Sequence, residues 1–266
     1  MIKKLMMFVV AAMAAMAAMG AWSVTYTTEI DGSTWSYTLS IAPDMTTNAT
    51  ITAVTPADGV LVVPSKVDGY RVIVIGDTVG KNCDGITSLY IPDLVQTIGR
   101  GAFSNCGLLG DVTIGSGVTA INGSSSDQYE SDIQNYGAFS FCSSLTNVTF
   151  GSSLKRIGGY SFYKCTSLAN ISIPNSVTTI GRHAFQGCTQ MTTATFGNGL
   201  MSIDYYAFAN CNGLKTVIFD DGGATGLMLG ERVFSSCVNL MNLHLPDSLV
   251  SVGSNAFSGS PAYKAQ

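Results

Sequence analysis

Charge is what this sequence has least of. Asp, Glu, Lys and Arg together make up 11% of the 266 residues, against about a quarter in an ordinary globular chain. Long exposed helices need such residues on their wet face, so a mainly helical architecture is disfavoured. Thirteen basic residues against 17 acidic ones leave a formal net charge of −4, with no basic run and no basic patch interleaved with aromatics. Phosphate backbones are held by clustered Lys and Arg, so this composition excludes nucleic acid as a natural partner, and an anionic membrane surface with it.

Catalytic chemistry is equally short of parts. His183 and His244 are the only histidines, and no Cys-x-x-Cys, Gly-x-Ser-x-Gly, phosphate loop or paired-carboxylate motif occurs. An enzyme needs a convergent acid, base or nucleophile, and a metal site needs a converging donor set. No catalytic residue, metal or cofactor is expected. Asp220-Asp221-Gly222-Gly223 has the start of a calcium loop without its later ligands, and reads as an acidic turn.

Long apolar runs are missing after the first twenty residues. Lys3 and Lys4 precede the apolar residues 5–19, a stretch with the length of a signal-peptide core and short for a membrane span. With Ala18-Met19-Gly20 offering small residues, residues 1–20 read as a signal peptide removed before Ala21. The mature chain is therefore expected outside the cytoplasm, secreted or at the cell surface, with no membrane span.

What the chain does have is Ser, Thr, Asn and 29 glycines around a 46% hydrophobic content, a mixture suited to short strands and tight turns. Its cysteines stand at Cys83, Cys106, Cys142, Cys165, Cys188, Cys211 and Cys237, spaced 23, 36, 23, 23, 23 and 26. Phe103, Phe139, Phe162, Phe185, Phe208, Phe234 and Phe257 repeat the pattern with spacings 36, 23, 23, 23, 26 and 23. Two residue types thus share one period and the same two interruptions: a 13-residue insertion at residues 124–136 and three extra residues near Ala224. A period of 23 lies within the range of leucine-rich repeats.

The unit Ile157-Gly158-Gly159-Tyr160-Ser161-Phe162-Tyr163-Lys164-Cys165-Thr166-Ser167-Leu168 continues into Ala169-Asn170-Ile171-Ser172-Ile173-Pro174. Apolar residues alternate with polar ones at Val148 and Phe150, the mark of a strand with one buried face. Phe and Cys fill the corner before it. One coil cannot bury its own apolar side, but stacked coils build a continuous core. The structural core positions are therefore Phe103, Cys106, Phe139, Cys142, Phe162, Cys165, Phe185, Cys188, Phe208, Cys211, Phe234 and Cys237. The column of cysteines is expected to be mainly buried thiols, with disulfides between neighbouring coils as the lesser reading.

The pattern Ile-Gly-x-x-Ala-Phe-x-x-Cys-x-x-Leu-x-x-Val-x-Ile-Pro-x-Ser-Val, fullest in residues 157–177 and 180–200, resembles the BspA-like leucine-rich repeats over residues 75–260. That resemblance implies a secreted or cell-surface microbial protein, and some members are associated with adhesion to matrix proteins or other cells. In the first coil, Gly80-Lys81-Asn82-Cys83 departs from the family pattern by replacing the Ala-Phe corner.

The expected fold is a β-rich solenoid, a right-handed leucine-rich-repeat coil with short parallel strands. Residues 21–70 form an N-terminal β-rich cap, residues 71–260 about seven coils stacked at ~4.8 Å, and residues 261–266 a loose tail. The outward strand positions offer a candidate ligand face: Tyr90, Thr113, Thr149, Ser172, Thr195, Ile218 and His244 in one column, and Asn147, Asn170, Thr193, Thr216 and Asn242 beside it. This face is rich in hydroxyl and amide groups and nearly uncharged; a plain solvated strand surface has the same composition. His183 falls in a variable slot before Ala184-Phe185 and reads as a solvated edge. The functional expectation is a non-catalytic recognition or adhesion module that binds an extracellular protein or glycan on this face. The alternative is a structural surface or spacer protein that self-associates through its C-terminal coil.

Overall fold

The computed structural model describes residues 24–123, 137–220 and 226–261. The signal-peptide segment, the insertion 124–136, most of the acidic turn and the tail lie outside the described residues. Within them the chain is a β-solenoid of about eight turns with parallel strands and no α-helix.

An antiparallel N-terminal unit opens it. β1 (Tyr26–Ile30) pairs with β2 (Ser33–Ile41), and β2 with β3 (Thr47–Thr55), before the direction changes and β3 runs parallel to β6 (Tyr70–Ile75). The short β5 (Lys66–Val67) pairs back onto β6. Trp35 and Tyr37 of β2 are buried and seal this end of the core. The Tyr37 hydroxyl donates to Asp68 Oδ2 at 2.5 Å, anchoring the hairpin to the turn before β6.

From β6 onward each coil presents three sides. One side is a continuous sheet that runs from β6 through the two-residue strands β8 (Thr97–Ile98), β10 (Ala120–Ile121), β12 (Arg156–Ile157), β14 (Thr179–Ile180) and β16 (Ser202–Ile203). It ends at β18 (Leu227–Leu229) and β20 (Leu249–Val252). A second side carries the longer strands in two groups. The first group is β4 (Gly59–Val62), β7 (Ile86–Ile91), β9 (Asp111–Ile114) and β11 (Asn147–Thr149). The second is β13 (Asn170–Ile173), β15 (Thr193–Phe196), β17 (Thr216–Phe219) and β19 (Asn242–His244). The hydrogen-bonded ladder breaks between β11 and β13, where Val148 and Phe150 are only partly buried.

β4 pairs parallel with β7, Leu61 opposite Leu89 and Val62 opposite Tyr90. The segment that reads from sequence as part of a separate cap is thus the first strand of the strand face.

The third side is the Phe–Cys corner. Phe103, Phe139, Phe162, Phe185, Phe208, Phe234 and Phe257 stack as one column, centroids 4.9–5.9 Å apart. Each later cysteine thiol donates to a backbone carbonyl one coil earlier: Cys142 to Phe103 at 3.2 Å, Cys165 to Phe139 at 3.1 Å, and Cys188 to Phe162 at 3.2 Å. Cys211 and Cys237 continue the series on Phe185 and Phe208. Cys106 donates to Gly80, which stands where later coils have Phe, so the atypical first coil still accepts the thiol of the coil after it. A Cβ on Gly80 would sit 2.7 Å from the Phe103 ring, so glycine there leaves room for the first ring of the column. All seven cysteines are free thiols.

In most coils the corner turns through two left-handed residues, four positions apart. Tyr160 (φ 60°) and Lys164 (φ 54°) fill these places in one coil, Tyr206 (φ 55°) and Asn210 (φ 58°) in another. Most occupants are Gly, Asn or residues unbranched at Cβ, but Thr78 (φ 56°) is β-branched and exposed. A branched residue is strained there. Replacing Thr78 by Asn is therefore expected to raise stability by about 1 kcal/mol and the unfolding midpoint by ~2–4 °C. A midpoint that stays put or falls in a thermal melt counts against strain at this corner.

Candidate recognition surfaces

The strand face takes its composition from alternation: inward residues build the core and leave every second side chain outward. Its register places Tyr90 beside Thr113 and Thr113 beside Thr149. Across the break, Ser172 lies beside Thr195, Thr195 beside Ile218, and Ile218 beside His244. In the flanking column Asn147 follows Asp111, while Asn170, Thr193, Thr216 and Asn242 form an unbroken run. The predicted face residues therefore come together in two aligned groups, one on each four-stranded sheet.

Part of this polar inventory is spent within the face. The Thr195 hydroxyl donates to the Ile171 carbonyl at 3.5 Å, and Asn242 Nδ2 to Thr216 Oγ1 at 3.5 Å. Thr192, at the strand entry, bonds both the Ala169 carbonyl and Asn170 Oδ1. Asn147, Thr149, Ser172 and Thr113 are exposed.

Sequence reasoning missed the N-terminal end of this face. Val60 (66% exposed) and Val62 (48%) align with Ser88 and Tyr90 and extend both columns by one strand. The signal was available: Leu61-Val62-Val63-Pro64 repeats the spacing of Leu89-Tyr90-Ile91-Pro92. The face thus has a polar middle in which Asp111 is the one charged group of the two columns, between two apolar ends, Val60, Val62 and Tyr90 at one and Ile218 and Met241 at the other.

His183 is not the solvated edge its slot suggests. The left-handed column Tyr160, His183, Tyr206, Arg232 projects its side chains in register, so the rings stack from coil to coil. His183 lies 4.6 Å from Tyr160 and 5.3 Å from Tyr206, both parallel. Arg232 closes the column, its guanidinium 5.5 Å over the Tyr206 ring and donating to the Tyr206 hydroxyl at 2.6 Å. Burial pushes the His183 pKa below its usual value, so the imidazole is neutral at pH 7. Nδ1 sits 2.5 Å from Gln186 Oε1. Stacking consumes the ring faces, which makes this column a mechanical strut. His244 is exposed on β19.

The thiols are similarly committed. Burial pushes Cys188 and Cys237 up to about 12 and the half-buried Cys83 up to about 11. A nucleophilic cysteine needs the opposite shift. Among the described residues no group of three or more His, Cys, Asp or Glu side chains is placed to hold a metal ion. No helix among them is long and apolar enough to cross a membrane.

Comparison with known proteins agrees with this architecture. The family model of the BspA type leucine rich repeat region matches in 6 copies over residues 73–135, 126–225 and 224–264. A leucine-rich-repeat protein of Treponema pallidum is 26% identical with a TM-score of 0.65, covering 77% of this chain and 87% of its own. A leucine-rich cell-surface protein of Faecalibacterium prausnitzii A2-165 is 22% identical with a TM-score of 0.33, covering 90% and 81%. The pneumococcal vaccine antigen PcpA is 14% identical with a TM-score of 0.37, covering 91% and 81%. No curated protein shows significant similarity. Repeat period, Phe–Cys corner, parallel strands and family model coincide over well more than half of the sequence: the chain belongs to the BspA-type leucine-rich-repeat family.

Proposed function

We propose that this protein is an exported, non-catalytic recognition module that binds an extracellular partner, a protein surface before a glycan, on its strand face. The observation that carries this reading is the distribution of exposed apolar groups. Val60, Val62, Tyr90, Ile218 and Met241 flank a polar, nearly uncharged middle, and interfaces are enriched in such aromatic and Met anchors and poor in charge at their centre. Export rests on Lys3, Lys4 and the apolar stretch at residues 5–19.

The test is a binding screen against extracellular-matrix proteins and glycans. A saturable partner should lose at least tenfold in affinity, about 1.4 kcal/mol, when Thr149, Thr193 and Thr195 are all replaced by Lys. Three charges then stand in a desolvated patch while the inward core is untouched. A partner bound equally well by this variant does not use the strand face.

One observation favours a second reading, a structural protein that self-associates. The last coil exposes Met241 and Val250 (70% each), Val238 (50%) and Val252 (46%). Neither β19 nor β20 has a strand beyond it among the described residues. A blank screen combined with concentration-dependent oligomers in light scattering, abolished by Val250→Lys, would replace the recognition reading with this one.

A further inference from the structure

The side of the solenoid opposite in role to the strand face holds a groove of about 530 Å³. It runs over the short strands β12 to β20, along the column Arg156, Thr179, Ser202, Met228 and Ser251, which the strand register sets side by side. Four strand spacings separate Arg156 from Ser251, so the groove is about 19 Å long along the stack axis. Asp204 lines it at the end of β16, in a place where neighbouring coils have Gly181 and Gly230.

The chemistry of this column narrows the occupant. Its hydroxyls, Thr179, Ser202 and Ser251, recur at multiples of the coil rise. Extended peptide repeats its same-face side chains at about 6.7 Å and falls out of step with a ~4.8 Å ladder. A linear chain of pyranose rings presents hydroxyls on every ring, close to that rise. One guanidinium and one carboxylate leave the groove without net charge, which matches an uncharged ligand and gives a phosphorylated or sulfated one no cluster of cations. Both charged groups suit vicinal hydroxyls: the planar Arg156 fork donates twice, and the Asp204 carboxylate accepts. Asp204 is already oriented, because one of its oxygens accepts the Tyr205 backbone N–H at 2.7 Å. Arg156 makes no ion pair among the described residues and remains available. Met228, half exposed, adds an apolar contact for ring C–H groups.

We propose that this groove binds a linear neutral polysaccharide, with successive rings stepping along β12, β14, β16, β18 and β20. Arg156 and Asp204 bond ring hydroxyls two coils apart. The site is separate from the strand face.

The experiment is isothermal titration of the protein with cellohexaose, laminarihexaose, mannohexaose and xylohexaose. Saturable binding of at least one hexamer is expected. It should weaken about tenfold or more in Asp204→Ala and in Arg156→Ala, each losing a charge-assisted hydrogen bond. Thr149→Lys, on the strand face, should bind as the parent does. Asp204 and Arg156 are exposed, and circular dichroism will show that their variants keep the fold. The proposal is overturned if no hexamer binds at millimolar concentration, if Asp204→Ala and Arg156→Ala bind undiminished, or if Thr149→Lys abolishes binding.

Discussion

Replacing Phe185 by alanine is expected to cost about 3–5 kcal/mol of unfolding free energy. Phe185 has no exposed surface and stacks on Phe162 at 5.1 Å and on Phe208 at 4.9 Å. Truncation loses ring burial and opens a cavity between two coils that are pinned on their other sides by backbone ladders, so the cavity cannot close. The Phe185 carbonyl also accepts the Cys211 thiol, and that bond survives because it uses the backbone. Phe257, by contrast, stacks on Phe234 alone among the described residues and is slightly exposed. With one packed neighbour instead of two, the same change there should cost about half as much. Denaturant titrations of the two variants against the parent measure both numbers. Equal losses would contradict a column in which each internal ring serves two interfaces.

The second large effect is alkaline destabilisation. Cys188 and Cys237 are pushed up to about 12 by burial, from an ordinary thiol value of 9.0. In the folded chain these groups keep their protons to higher pH than in the unfolded chain. The folded state therefore binds more protons above about pH 9, and stability falls as pH rises. The stabilisation is fully present below the unfolded thiol pKa and is lost between about 9 and 12. Each thiol contributes a slope of roughly 1 kcal/mol per pH unit across that window, and the two act in the same direction. Burial also raises Cys165 and Cys211 well above the usual range, in the same direction. Urea titrations between pH 8 and pH 10 should show a midpoint that drops steeply. Cys188→Ala should start lower at neutral pH, having lost the thiol bond to the Phe162 carbonyl, yet decline less steeply. A midpoint flat across that range would mean that the thiols are not sealed.

The repeat was fully legible because it is written twice, in cysteine and in phenylalanine, and both sit at positions that geometry forces inward. The outward columns were legible for the same reason, since a strand has only two faces. Other features were hidden by the third dimension. Leu61-Val62-Val63-Pro64 carries the strand signature of a coil without the Phe–Cys corner, so spacing alone assigns it to a separate cap, whereas its backbone pairs with β7. His183 occupies a slot filled elsewhere by Gly101 and Asn255, and only the left-handed backbone there aligns it with Tyr160 and Tyr206. The groove was unreadable because its strands are two to four residues long, too short to show a period. The break between β11 and β13 follows no motif that sequence spacing reveals.

The thiol-to-carbonyl bonds have a consequence for how such a chain can change over generations. Every internal coil gives one thiol proton backward and receives one from the coil ahead. Removing or duplicating a whole 23-residue unit restores each contact in kind, and so does a length change outside the stretch from Phe to Cys, whereas one inside that stretch cuts the series at one point. The two tolerated irregularities obey this rule, since both fall outside the stretch from Phe to Cys. The unit of inheritance is thus a slab of surface about 4.8 Å thick. Recombination between repeats can lengthen or shorten a ligand footprint in steps of that size while leaving the core indifferent to how many slabs it contains.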